Sequence, residues 1–145
     1  MSNYNPNYKD ILINNVLFAK LSNKTVDETL ALLRREKVSK PTIYIGAGTC
    51  GLGAGAGKTL IKTKEYLTSK NIDADIIELG CIGLCSSEPL LDVQLPNKAR
   101  ISFENVNADK VNNILDDVFR GKLEGHSILG QFKNTGKKWN NVQLL

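Results

Sequence analysis

Three cysteines, Cys50, Cys81 and Cys85, are the residues whose type and spacing could do chemistry. Cys81-Ile82-Gly83-Leu84-Cys85 separates two thiols by three residues, with Gly83 tightening the turn. Cys50 lies inside a glycine-rich run. An odd number of cysteines, two of them close together, reads as metal or redox chemistry before it reads as a disulfide framework. Converging thiols beside glycine-rich backbone suit an iron–sulfur or zinc site. The competing expectation is three buried, inert thiols, because free cysteine is among the most buried residue types. Thiol–disulfide exchange through Cys81 and Cys85 ranks below both. Such pairs normally enclose two residues at a helix start, and here three intervene in a loop after a strand. His126, the single histidine, stands between Gly125 and Ser127 far beyond Cys85 and is expected to be solvated. The lone Trp139 is expected to pack rather than react.

Two nucleotide motifs are present in letter but not in context. Gly46-Ala47-Gly48-Thr49-Cys50-Gly51 fits G-x-G-x-x-G after a strand. The helix is expected to start only near Ala54, which leaves the third glycine in a loop. The nearest candidate acid, Glu78, lies inside the next strand, and a single crossover unit is visible. Gly57-Lys58-Thr59 suggests a phosphate loop, but that motif needs glycine where Leu52 stands. A glycine-rich loop lets backbone approach something bulky, and its free amides suit an anionic thiolate-ligated cluster as well as a phosphate.

The elements that would position these residues follow from pattern. Tyr8, Ile11, Leu12, Val16 and Ala19 give a rough helical stripe. Thr25 with Glu28 reads as a capping box ahead of Val26, Leu30 and Leu33, and Pro41 closes this region. Thr42–Ile45 and Ile76–Leu79 read as strands around a helix near residues 54–70, a parallel crossover unit. Leu91–Leu95 and Ala99–Phe103 flank Pro96-Asn97-Lys98 as a hairpin. Val111, Ile114, Leu115, Val118 and Phe119 follow helical spacing over 108–120, and Gly121 ends that helix. These pieces predict an α/β fold with a four-stranded mixed sheet, flanking helices and two short N-terminal helices. Beyond Gly121 the periodicity disappears, and an extended tail is expected.

The chain has 145 residues, 41% apolar and 23% charged, enough for one domain with a real core. No apolar run approaches the roughly 18 residues of a membrane span, and no secretory signal opens the chain. The net charge of +4 sits on the flanks: residues 1–40 carry +3, 41–120 carry −2 and 121–145 carry +3. A slightly acidic centre and 6% aromatics argue against nucleic-acid binding.

Gly48-Thr49-Cys50-Gly51-Leu52-Gly53-Ala54-Gly55-Ala56 and Gly80-Cys81-Ile82-Gly83-Leu84-Cys85-Ser86-Ser87-Glu88-Pro89-Leu90 carry a family likeness, together with Asp92-Val93-Gln94-Leu95-Pro96 and the helix after Asn105-Val106. Through them Thr42–Gly121 resembles the thioredoxin-like [2Fe-2S] ferredoxins. These occur alone, as small subunits of NAD(P)-linked hydrogenases, and at the N-terminus of NADH-binding flavoprotein subunits related to respiratory complex I. Ile128-Leu129-Gly130-Gln131-Phe132 is similar to the linker before the flavin domain in the larger subunits.

The resemblance implies a thioredoxin-like domain over residues 41–121, an N-terminal helical extension over 1–40 and a C-terminal tail over 122–145. It implies an electron-transfer module of an NAD(P)H-linked redox complex, a hydrogenase or an NADH dehydrogenase, with no substrate chemistry of its own. The [2Fe-2S] cluster would be held by Cys50, Cys81 and Cys85. The family usually supplies four cysteines, and Ile45 stands where many members place the first. The fourth ligand would then be Thr49, a nearby acid, water or a partner's thiol. The alternative is a cluster-free docking or assembly subunit. Expected partners are flavoprotein or hydrogenase subunits, with a homodimer left open, no nucleic acid and no membrane span. The expected compartment is the cytoplasm.

Overall fold

A computed structural model describes residues 23–145. The chain divides into two units, residues 1–38 and 39–145. In the first, helix α1 spans Asn23–Leu33. Thr25 therefore lies inside the helix instead of marking its start, because Asn23 already belongs to it. The stripe from Tyr8 to Ala19 lies outside the described residues.

The second unit is built on one sheet. Its strands are β1 (Thr42–Gly46), β2 (Asp75–Leu79), β3 (Leu91–Gln94), β4 (Ile101–Phe103) and β5 (Ile128–Gln131), in the order β2-β1-β3-β4-β5. β1 pairs parallel to β2 and antiparallel to β3, and β4 is antiparallel to both its neighbours. Helices α2 (Thr49–Ala54) and α3 (Ala56–Ser69) join β1 to β2, and α4 (Ala108–Phe119) joins β4 to β5.

Alternation along the strands sorts the side chains. Ile43, Ile45, Leu91, Val93, Ile101 and Phe103 enter one cluster with Tyr66 and Leu67 of α3 and Val111, Ile114, Leu115 and Val118 of α4. The strand residues between them are polar yet also buried. Tyr44 Oη donates to Gln94 Oε1 at 2.8 Å, and Ser102 Oγ donates to Asp92 Oδ1 at 2.5 Å. Arg100 donates to Asp92 through Nε and Nη2 and stacks over Tyr44 and Phe132. Burial pushes the Asp92 carboxyl up, against the pull of Arg100 and Ser102.

Two expectations are corrected. The sheet has five strands, because Ile128–Gln131 extends it beyond β4. This short segment was concealed by Gly130, which interrupts its apolar pattern. Also, the helix after β1 begins at Thr49, well before Ala54, and breaks at Gly55, whose φ of 108° only glycine adopts easily. Glycines erase the apolar periodicity that would have announced α2.

Candidate metal centre

Parallel pairing places the carboxyl ends of β1 and β2 at one edge of the sheet, and the Ala47 N–H donates to the Leu79 carbonyl at 2.7 Å across the two exits. Cys50 is the second residue of α2, Cys81 follows β2 in irregular chain, and Cys85 opens a short 3₁₀ turn over Cys85–Ser87. The three sulfurs lie within 4.8 Å of one another. That is inside the span of about 7 Å expected for ligands of one small metal site. Cys81 Sγ and Cys85 Sγ are 3.6 Å apart, and the Gly83 N–H points at Cys81 Sγ from 3.4 Å.

All three cysteines are exposed and unbridged, which overturns the expectation of buried, inert thiols. The hydrogen bond with the Cys50 sulfur holds the Cys85 thiol above its ordinary value, while the hydrogen bond with Cys81 works the other way. A cation bound here would replace the thiol protons. Exposed Leu52 on α2 and Ile82 and Leu84 between Cys81 and Cys85 give these segments an apolar character.

The glycines make this convergence sterically feasible. A Cβ at Gly48 would lie 2.8 Å from the Cys81 backbone nitrogen, and one at Gly51 would lie 2.2 Å from the Gly46 carbonyl oxygen. The second glycine of the G-x-G-x-x-G run is thus filled by the second thiol loop, where a dinucleotide would need its pyrophosphate. Gly51 does sit on a helix, contrary to expectation, yet its close contact is with β1. Glu88 is the site residue that the sequence did not single out. Its buried carboxylate accepts the Leu90 N–H at 2.8 Å and packs beneath Gly46 and Gly51. It braces the Cys85 loop against the Cys50 loop.

The remaining candidates do not join. Ile45 is completely buried in the core. The group of converging ligand atoms contains the three sulfurs and no carboxylate or imidazole of a described residue. His126 is not solvated, since its ring bonds Asp117 Oδ2 at 2.9 Å and meets Phe103 edge-on. A wider cleft of about 640 Å³, bordered by Lys98, Lys122, Lys137 and Trp139, lies at the hairpin end of the sheet, away from the sulfurs. No helix among the described residues is long and apolar enough to cross a membrane.

No family model matches the chain. It is 26% identical over 90 residues to the NADP-reducing hydrogenase subunit HndB of Solidesulfovibrio fructosivorans, a match covering 59% of this chain and 71% of that one. A thioredoxin-like [2Fe-2S] ferredoxin from Aquifex aeolicus superposes with a TM-score of 0.55 at 12% identity, covering 66% of this chain and 96% of the other. A second structure of the wild-type Aquifex aeolicus ferredoxin gives 0.53 at 12% identity, covering 63% and 98%. The chain has a thioredoxin-like fold.

Proposed function

We propose that this thioredoxin-like chain is an electron-transfer module of an NAD(P)H-linked redox complex of the hydrogenase kind, its [2Fe-2S] cluster held by Cys50, Cys81 and Cys85. One observation carries the reading: three sulfurs within 4.8 Å, delivered by the exits of two parallel strands in this fold. The donor set fits the group, since iron–sulfur clusters are bound by thiolates, and three meet here. When bound, the cluster supplies one-electron transfer. The chain's own residues hold and tune it. Cys81 and Cys85 stand 3.6 Å apart, Cys50 approaches from α2, and Glu88 keeps the two segments in register. Residues 41–121 are the cluster-bearing domain in this reading, with 1–40 as an N-terminal extension and 122–145 as a C-terminal tail. The partners are flavoprotein or hydrogenase subunits, and the compartment is the cytoplasm, where exposed thiols stay reduced.

Anaerobic reconstitution tests the reading. Iron and acid-labile sulfide should bind in equal amounts and colour the protein, and Cys81→Ser or Cys85→Ser should bleach it. A chain that stays colourless and iron-free would instead be a cluster-free docking subunit, the reading that the missing fourth cysteine favours.

A further inference from the structure

Three sulfurs are one donor short of a closed thiolate site, and the chain has no further thiol to offer. The sequence contains three cysteines and one histidine. That histidine is bound to Asp117. Ile45 is sealed in the core, and the buried Glu88 carboxylate is committed to the Leu90 N–H. The spacing of the sulfurs nonetheless suits a common metal vertex. A tetrahedral ion with metal–sulfur bonds of about 2.3 Å has ligand edges of about 3.8 Å. The Cys81–Cys85 edge is 3.6 Å, and Cys50 closes the group within 4.8 Å.

We infer that the one terminal ligand position left open by these three sulfurs is filled by a thiolate from outside the chain. The inference rests on reading these cysteines as metal ligands, whichever metal they hold. A soft ion already bound by thiolates favours another soft donor. All three sulfurs are exposed, so such a donor has access. Leu52, Ile82 and Leu84, within three residues of a cysteine each, are 56%, 59% and 41% exposed, and they offer an apolar approach for the body of a small thiol or of a partner's cysteine.

Cobalt(II) is the probe, added anaerobically to an excess of the full chain and followed by 2-mercaptoethanol. Cobalt should bind in tetrahedral form. Thiol should then raise the sulfur-to-cobalt charge-transfer absorbance saturably by about one third, as four thiolates replace three. A short apolar peptide carrying one cysteine distinguishes the sources. Half-saturation about tenfold lower than for 2-mercaptoethanol assigns a protein thiolate seated on the leucine–isoleucine surface, and equal values assign a free small thiol. Failure to bind cobalt, a spectrum indifferent to thiol, or a spectrum altered by Thr49→Val or Ser86→Ala would overturn the inference. A thiol-responsive cobalt site in a chain that assembles no iron and sulfide would overturn the cluster reading alone.

Discussion

At the scale of single residues, the site depends as much on what is small as on what is reactive. Gly48 has an ordinary φ of −67°, so alanine there is opposed by space and not by backbone strain. Its Cβ would press on the Cys81 backbone, which cannot swing aside as a side-chain tip can. Gly48→Ala should therefore weaken metal uptake sharply while leaving the far-UV circular dichroism unchanged. Equal metal content in the two proteins would remove Gly48 from the account. Glu88→Ala leaves the Leu90 N–H without its acceptor and should cost about 1–3 kcal/mol in urea unfolding. Glu88→Gln keeps an acceptor and should recover most of that loss. The cysteines were legible because their chemistry is in the residue type, and their meeting followed from the parallel crossover. Glu88 was not legible as a brace. Its partners Gly46 and Gly51 lie on β1 and α2, distant in sequence, and nothing local to Glu88 distinguishes a buried carboxylate from a solvated one. His126 was misread for the same reason, since Asp117 and Phe103 come to it only in the folded chain.

At the scale of elements, α3 and α4 are joined by an apolar seam with one polar bond at its margin. Tyr66 Oη donates to Asp116 Oδ1 at 2.8 Å, and Lys70 approaches the same carboxylate. Burial, followed by the Asp116 contact, pushes the Tyr66 phenol up, while the Tyr66 hydroxyl holds Asp116 below its ordinary value of 3.8. The depressed Asp116 contributes stability that is present above that value and is lost as pH falls through the folded one. The raised Tyr66 contributes stability that is present below its ordinary value of 10.0 and is lost as pH rises through the folded one. Tyr66→Phe should lower the urea midpoint across the neutral range and flatten the acid limb. Glu104, held low by the hydroxyls of Ser87 and Ser127, should retain a part of that limb. An unchanged acid limb in Tyr66→Phe would show that the bond carries no pH-dependent stability. Of these two helices α4 was the clearer in sequence, because Val111, Ile114, Leu115 and Val118 recur at helical spacing and are all buried. α2 was hidden, because six residues that include two glycines carry too little apolar pattern to show a period.

At the scale of the whole sheet unit, the segment after Gly121 is structural. β5 covers β4, which would otherwise present an open edge for association. Trp139 returns the chain to the core, with its indole N–H donating to the Ala99 carbonyl at 2.8 Å. Gln131 locks the return. Its side chain accepts the Trp139 N–H and donates to the Trp139 and Val142 carbonyls. The sequence hinted at this in one residue, a lone tryptophan in a polar run, but the strand depends on pairing with a partner distant in sequence. If the tail is part of the cooperative unit, its amides should open only when the central strands open. Native-state hydrogen exchange should then give Gln131, which bonds the Gln143 carbonyl, the same opening free energy as β1 and β3. Trp139→Ala should lower all of them together, by about 3–5 kcal/mol if the indole's core contacts are lost without collapse. A tail that docks as a separate layer behaves differently. Gln131 would exchange earlier than β1 in the parent chain, and Trp139→Ala would free β5 while leaving the central strands protected. The second pattern would reduce the cooperative sheet to the four strands read from the sequence. The first would make the C-terminal segment a condition for the sheet edge at which Cys50, Cys81 and Cys85 meet.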